Sequence, residues 1–137
     1  MRIVYSLNSI NYIGGIERVT IVKANALANI AGNEVFILVT DENGKYCTEL
    51  SPKVNLINLN INYYKDDWKP GIDAKISHIR KYFQHRTALN EQIKQIKPDV
   101  VISVGQSEKY FLIKNIFEKT DTLFVRELHF ATNYRLL

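Results

Sequence analysis

The sequence has little cysteine and no long hydrophobic run. Its 137 residues include a single cysteine, Cys47, which excludes a disulfide within the chain and a metal site built on several thiolates. The first fifteen residues hold one positive charge and an apolar run of about three or four residues, far short of a signal peptide or a membrane span. We therefore expect a cytoplasmic protein that keeps its N terminus.

A strong charge imbalance is also missing. The net charge is +4 with 46% hydrophobic and 23% charged residues, which is the range of ordinary soluble globular proteins. So small a basic excess, with no recognisable motif beside it, does not indicate a nucleic-acid partner. The length suits one domain, or part of one, with one core.

Two phosphate-binding motifs are absent as well. In "NYIGGIERVT" the two glycines are adjacent and the third glycine of the dinucleotide fingerprint G-x-G-x-x-G is missing, so the sequence does not predict a typical NAD site. No run matches the Walker A pattern G-x-x-x-x-G-K-[ST] either.

Strand and helix patterns alternate along most of the chain. Strands are predicted at residues 2–6, 34–40, 54–60, 99–104 and 122–128, and helices at 15–32, 72–96 and 107–119. The apolar residues expected to face the core are Val19, Val22, Ala26, Leu27 and Ile30 on the first helix, and Ile72, Ile76, Ile79, Phe83, Leu89, Ile93 and Ile96 on the second. Gly32 is expected to end the first helix and Pro98 the second.

This alternation predicts an α/β fold, a Rossmann-like parallel sheet with helices on both faces. Ligands of such sheets bind at the carboxyl ends of the strands. Four segments should therefore meet along one edge: "LNSINYIGG", "DENGK", "GQSEK" and "ELHFATNY".

The glycine pair at the start of the first helix has two interpretations. Gly14 and Gly15 either turn the chain from strand to helix, or let an anion approach the free N–H groups of the first helical turn. A negative charge at Glu17 interacts favourably with the dipole at the start of a helix, whereas a positive charge at Arg18 is mildly unfavourable there. Arg18 therefore pairs with a neighbouring carboxylate or points toward a bound anion, or, if the glycines only turn the chain, it is an ordinary surface residue.

At these residues the sequence resembles the opening of the family-4 glycosyltransferases of the GT-B fold, in which a first strand leads to G-G-x-E-R-V, a helix, and G-x-E/H-V before a buried strand. The match consists of Gly14, Gly15, Glu17, Arg18, Val19, Asn25, Leu27, Gly32, Glu34 and Val35. Further on, "KPDVVISVGQ" is similar to the family's fourth strand, and "VRELHFATNY" resembles the stretch that places a histidine in the cleft between its domains.

The resemblance implies that residues 1–137 are the acceptor-side domain of a retaining glycosyltransferase, truncated before the donor-binding domain with its Glu-x7-Glu motif. Such an enzyme moves a sugar from a nucleotide-sugar to a hydroxyl of a carbohydrate or lipid-linked acceptor, as in glycan or envelope polysaccharide synthesis. Gly14, Gly15 and Arg18 would lie near the donor diphosphate, and His129 and Glu127 near the transferred sugar. No metal cofactor is implied.

Glu127 and His129 are two residues apart, so on an extended strand they share a face and can couple. The simpler interpretation of His129 is a hydrogen-bonded histidine at a strand end. His78 and His85 are seven apart on the long helix and lie on one face; without a carboxylate partner nearby, we expect no metal site there.

The long helix is also basic. Between residues 75 and 97 it carries Lys75, Arg80, Lys81, Arg86, Lys94 and Lys97 against one acid, Glu91. Such a helix either rests on anionic lipid, at the periphery of the inner membrane face, or is a solvated surface. In the preceding loop, Tyr63, Tyr64 and Trp68 either stack on a sugar, dip into an interface or cover the core.

Two other functions stay open on the sequence. One is a stand-alone, flavodoxin-like nucleotide-binding domain, and the other is a carbohydrate-binding domain without catalysis. A reading frame that continues past Leu137 into a Glu-x7-Glu motif would exclude the first, and binding without dependence on nucleotide would favour the second.

Overall fold

The computed structural model describes residues 1–11, 14–42, 48–63, 72–104 and 121–128. Its elements are β1 (Arg2–Leu7), α1 (Gly15–Ala28), β2 (Glu34–Val39), β3 (Val54–Asn58), α2 (Ile72–Ile96), β4 (Val100–Val104) and β5 (Leu123–Glu127). The helix predicted at 107–119 lies outside the described residues.

The five strands form one parallel sheet in the order β3-β2-β1-β4-β5. The central strand is β1, where Tyr5 lies opposite Ile37 of β2 on one side and Ile102 of β4 on the other. The strand β3 is at an edge of the sheet, which is consistent with its alternation of apolar and polar residues. The predicted Rossmann-like α/β fold is confirmed.

Each face of the sheet packs against one of the described helices. On β1, the buried Tyr5 and Leu7 join a cluster with Ile21 and Ala24 of α1. The alternate residue Val4 points to the other face, where it packs with Leu89 of α2. Side chains of a strand alternate between faces, so the apolar β1 is buried on both.

The buried face of α1 differs from the predicted one. Thr20, Ile21, Ala24 and Ala28 are buried, whereas Val19, Val22 and Ile30 are 39%, 53% and 56% exposed. Three of the four buried residues are small, which allows the helix to approach the sheet closely. The Thr20 hydroxyl donates to the Ile16 carbonyl at 2.8 Å, so its polar atom is satisfied within the helix.

The end of α1 is also earlier than predicted. The helix ends at Ala28 with Asn29 as its C-cap, and the Asn33 side-chain amide donates to the Leu27 carbonyl at 3.1 Å. Gly32, with φ of 84°, belongs to the turn that leads into β2. Glycine is favoured at this position because it adopts the left-handed conformation without strain.

The apolar residues of α2 form two stripes where one was predicted. Leu89, Ile93 and Ile96 are buried, as expected, but Ile76, Ile79 and Phe83 are 60%, 59% and 56% exposed. Phe83 and Leu89 are six residues apart, a spacing that places them roughly 120° apart around a helix. The sequence pattern had joined two different faces.

Candidate functional site

The carboxyl ends of the parallel strands form one edge of the sheet, here called the carboxyl edge. At this edge the Asn8 carbonyl, just after β1, accepts from the Thr40 amide at 3.0 Å and from the Asp41 amide at 3.1 Å, both just after β2. The Thr40 carbonyl in turn accepts from the Ile61 amide at 3.0 Å, in the segment after β3. Backbone hydrogen bonds therefore hold these three segments together.

The four segments predicted to meet are only partly described. Residues 7–11, 14–15, 41–42 and 127–128 lie at the carboxyl edge, while "GQSEK" after β4 and His129 lie outside the described residues.

Gly14 and Gly15 lie where α1 begins. Gly14 is the N-cap, with φ of −109° and ψ of 158°, an extended conformation open to any residue, and Gly15 is the first helical residue. No positive φ is found at either glycine. A Cβ added at Gly15 would meet no heavy atom of the described chain within 4 Å. The backbone of the turn therefore does not require this pair of glycines.

Glu17 covers Gly14 but not Gly15. A Cβ added at Gly14 would collide with the Glu17 carboxylate, which folds back toward the start of the helix. Glu17 is the third helical residue, where a carboxylate interacts favourably with the partial positive charge of the helix N terminus. Gly15 is exposed and open beside it.

Arg18 is exposed, and no side-chain partner contacts it in the described part of the chain. Its backbone amide donates to the Gly14 carbonyl at 3.2 Å and closes the first turn of α1. Of the predicted arrangements, pairing with a carboxylate is therefore not found among the described residues.

Glu127, at the end of β5, is paired with a residue that the sequence did not suggest. Lys23 Nζ of α1 lies 3.0 Å from each carboxylate oxygen, and the Glu127 side chain is 19% exposed. Burial, and then the negative charge of Glu127, raise the pKa of the Tyr5 phenol on β1 to about 12. The predicted coupling between Glu127 and His129 stays a prediction.

A buried polar cluster lies where α2 meets the segment after β3. Tyr63 Oη and His85 Nδ1 share a hydrogen bond of 3.0 Å, and Lys81 Nζ donates to the Asn62 carbonyl and, at 3.4 Å, to the Tyr63 carbonyl. His85 is 1% exposed and Lys81 8% exposed. Lys81 therefore does not belong to the basic surface of α2, where the sequence had placed it.

At neutral pH the His85 ring and the Tyr63 phenol of this cluster are both uncharged. Burial lowers the pKa of His85 to about 4, and burial followed by the charge of Asp41 raises the pKa of Tyr63 to about 12. Of the three roles considered for Tyr63, the structure shows the last, because its side chain packs against the hydrophobic core. Tyr64 and Trp68 lie outside the described residues. Lys81 and His85 are four residues apart, a spacing that places them on the same face of a helix, and this spacing could have indicated the cluster from the sequence.

A cavity of about 430 Å³ lies at the opposite, amino edge of the sheet, before β4 and β5. Its lining residues are Ile93, Lys94, Lys97, Pro98, Asp99, Asp121 and Thr122. Ligand sites of parallel sheets lie at the other edge, so this cavity is not part of the candidate site.

Within the described ranges, no group of three or more His, Cys, Asp or Glu side chains is placed to hold a metal ion. In the same part of the chain, no helix has both the length and the apolar character needed to cross a bilayer.

The fold and the glycine-led helix at the carboxyl edge define a Rossmann-like α/β domain. No protein-family model and no curated protein matches the sequence. Among solved structures, the chain is similar to the crystal structure of UDP-galactose 4-epimerase, with 18% sequence identity and a TM-score of 0.39. The similarity covers 78% of this chain and 38% of that chain. A likeness at this level does not bear on activity.

Proposed function

We propose that this chain is the acceptor-side domain of a retaining glycosyltransferase, which moves a sugar from a nucleotide-sugar to a hydroxyl of a carbohydrate or lipid-linked acceptor. The main support is the exposed Gly15 at the first turn of α1, on the carboxyl edge, where no described atom would obstruct a ligand, with the exposed Arg18 three residues further along the helix. The proposal includes a donor-binding domain beyond residue 137, a role in glycan or envelope polysaccharide synthesis, and peripheral membrane contact through residues 75–97.

The chemistry needed at this place is stabilisation of a leaving diphosphate. The first turn of a helix offers free N–H groups and a partial positive charge, and a missing side chain lets a phosphate approach them. Arg18 adds a full positive charge that suits a phosphate oxygen. These groups supply the charge that a departing diphosphate needs without a metal ion.

The Glu17 carboxylate restricts where the anion binds. Because it lies over Gly14, a diphosphate at Gly14 would meet a negative charge. The open approach is on the Gly15 side, and we place the diphosphate there.

We place His129 and Glu127 toward the acceptor and the transferred sugar. Glu127 ends the strand β5 at the same edge as the helix start, and Lys23 holds its carboxylate in one orientation. His129 follows two residues later and would exchange hydrogen bonds with a sugar hydroxyl. In this arrangement Glu127 stabilises a protonated imidazole.

A stand-alone nucleotide-binding domain is the second candidate, because the Gly15 surface and Arg18 would serve it equally well. It needs an anion site but neither His129 nor a second domain. A non-catalytic carbohydrate-binding domain would leave the Gly15 surface unused.

The coding sequence past codon 137 provides the first test. Under the proposal it continues into a second domain with a Glu-x7-Glu motif, and the complete protein releases nucleoside diphosphate from a nucleotide-sugar when an acceptor is present. A panel of uridine and guanosine diphosphate sugars would identify the donor.

Calorimetry on residues 1–137 separates the candidates. The proposal predicts weak binding of any nucleotide-sugar to this fragment and no transfer, because the donor-binding half is missing. Tight binding of a nucleoside diphosphate to the fragment would contradict the proposal and favour the stand-alone nucleotide-binding domain. Binding of a saccharide that is unaffected by nucleotide would favour the carbohydrate-binding domain.

A further inference from the structure

Asp41 is a buried acidic residue at the carboxyl edge. It follows β2 by two positions and is 9% exposed. Its backbone amide donates to the Asn8 carbonyl at 3.1 Å, which holds it beside the end of β1. In the part of the chain that the structure describes, no salt bridge joins Asp41 to a cation. A buried charge without a cationic partner is costly, so hydrogen bonds to the carboxylate have to compensate for it.

The Thr40 hydroxyl supplies one of these hydrogen bonds. Its oxygen lies 2.9 Å from Asp41 Oδ2 and 2.9 Å from the Asn8 carbonyl oxygen, but a hydroxyl has only one proton to donate. The Asn8 carbonyl already accepts from the Thr40 and Asp41 amides, one for each lone pair. Because a hydrogen bond to a charged acceptor is stronger than one to a neutral acceptor, the hydroxyl donates to Asp41.

The other carboxylate oxygen, Asp41 Oδ1, has no hydrogen-bond partner among the described residues. Within the same residues, Asn90 Oδ1 is the one side-chain polar atom that is both fully buried and without a partner, so Asp41 Oδ1 is accessible from outside. A carboxylate has about four acceptor positions, and Thr40 fills one of them. Asp41 therefore presents a fixed and largely unsatisfied acceptor at the carboxyl edge.

We propose that Asp41 binds two neighbouring hydroxyl groups of a carbohydrate, with its carboxylate accepting a hydrogen bond from each. Hydroxyl groups are neutral donors, so they satisfy the carboxylate without placing a second charge in the site. Ligands of parallel sheets bind at this edge. A metal ion fits less well, because the described ranges contain no group of three His, Cys, Asp or Glu side chains that could hold one.

This carbohydrate site is separate from the residues placed near the transferred sugar. Asp41 follows β2 and Glu127 ends β5, and the sheet order puts β1 and β4 between these strands. Three strand spacings amount to about 14 Å. The inference rests on the proposed function for the class of ligand. The two hydroxyl groups belong either to the ribose of a nucleotide or to a saccharide acceptor, and the test distinguishes these sources.

Calorimetry on the full-length protein tests the dependence on hydroxyl groups in two arms. In the nucleotide arm, uridine diphosphate and guanosine diphosphate are each compared with the 2′,3′-dideoxy analogue. In the saccharide arm, methyl α-mannoside and methyl β-galactoside are each compared with the 3-deoxy analogue. In one arm the parent compound should bind about tenfold or more tightly than its analogue, the scale of a hydrogen bond to a charged group. Equal binding of parent and analogue in both arms, or no binding in either, overturns the proposal.

The variant Asp41→Asn assigns the preference to this carboxylate. Asparagine has nearly the same shape and still accepts from the Thr40 hydroxyl, but its amide nitrogen donates where the carboxylate oxygen accepts. The preference for the parent compound should therefore be lost. The matched control is Glu34→Gln, the same change of carboxylate to amide at the opposite end of β2, where Glu34 is exposed and 3.4 Å from Arg2. The control should keep the preference, and equal behaviour of the two variants contradicts the proposal.

The melting temperature without ligand separates binding from a structural role. Because the charge of Asp41 is only partly compensated, Asp41→Asn should leave the melting temperature unchanged or raise it. A lower melting temperature with an unaltered hydroxyl preference would make Asp41 a structural residue only. Asp41→Glu is the second variant: it keeps the charge but moves the carboxylate away from Thr40, so it should also lose the preference.

Transfer activity is a separate measurement, because the binding arms need no turnover. A hydroxyl preference that depends on Asp41, in a protein that transfers no sugar, would count against the proposed function alone. Transfer by a protein that shows no hydroxyl preference in either arm would count against the Asp41 site alone.

Discussion

Lys23 of α1 holds both carboxylate oxygens of Glu127 at 3.0 Å, joining the first helix to the end of β5 at the carboxyl edge. The two residues are 104 positions apart in sequence. After burial, the charge of Glu127 is the second cause that raises the pKa of Tyr5 to about 12. The carboxylate that is proposed to act beside His129 thus already has a cationic partner. Lys23 either orients this carboxylate for catalysis, or the ion pair only attaches β5 to α1.

Substitution of each partner distinguishes these roles. Lys23→Met and Glu127→Gln should each lower the free energy of unfolding by about 0.5 kcal/mol, the scale of a partly exposed ion pair. Under the proposed transferase function, Glu127→Gln in the full-length protein should also lower kcat by about 10²-fold, because it removes the charge that is proposed to stabilise a protonated His129. Lys23→Met should lower kcat much less.

Urea denaturation and steady-state kinetics provide the two measurements. Glu127 acts only as a structural partner of Lys23 if both variants show the same small loss of stability and the same near-normal kcat.

The alternation of strands and helices was sufficient to predict the fold. A parallel sheet follows from strands joined by helical crossovers, and the near-continuous apolar runs of β2 and β4 are typical of strands that are covered on both faces. The same geometry explains why Asn8, Thr40 and Asp41, which follow two neighbouring parallel strands, contact one another at the carboxyl edge.

Side-chain partners were not predictable in the same way. The pair Lys23 and Glu127 depends on how α1 packs over the sheet, which no local pattern specifies. The α1 prediction failed because close packing selected the small Thr20 and Ala24 over the larger Val19 and Val22. Hydrophobicity alone ranks these residues in the opposite order.

Gly15 tests whether the start of α1 binds a diphosphate. In the complete enzyme, Gly15→Val should reduce turnover by about 10²-fold, because a branched side chain blocks the approach of a diphosphate to the helix N terminus. The fold should be retained, since a Cβ at this position meets no described atom within 4 Å. Circular dichroism and the melting temperature check the fold; unfolding would show that the glycine is structural.

Glu17→Gln should have opposite effects on stability and binding. It removes a charge that favours the start of α1, so the free energy of unfolding should fall by about 0.5 kcal/mol. It also removes a negative charge beside the proposed diphosphate site, so the Kd of the complete enzyme for a nucleoside diphosphate should decrease by a few fold. Calorimetry measures this Kd, and an unchanged or higher Kd would place the diphosphate elsewhere.

His129→Ala remains a prediction from the sequence. A hydrogen bond to a sugar hydroxyl that strengthens in the transition state affects kcat more than binding. The complete enzyme should therefore lose about 10²-fold or more in kcat, with little change in melting temperature. The conservative His129→Gln serves as the control, because it keeps a hydrogen bond but cannot carry the proton. A near-normal rate for His129→Ala would remove this residue from the mechanism.

His85 should make stability depend on pH. Its pKa is about 4 in the folded chain and 6.5 as an ordinary histidine, because burial disfavours the charged ring. From about pH 7.5 upward the ring is almost entirely neutral in both states and has little effect on the free energy of unfolding. As the pH falls from 6.5 to 4, the unfolded chain takes up a proton that the folded chain does not, so the free energy of unfolding should fall by up to about 1.4 kcal/mol per pH unit.

Urea denaturation between pH 7.5 and 4 measures this slope, and two variants assign it. His85→Gln keeps a hydrogen-bonding group near the Tyr63 hydroxyl but does not titrate, so its stability should be lower at pH 7.5 and the slope smaller by one proton. His78→Gln, on the same helix but exposed, should keep the full slope. The buried histidine is not the source of the pH dependence if both variants lose the same slope, or if neither does.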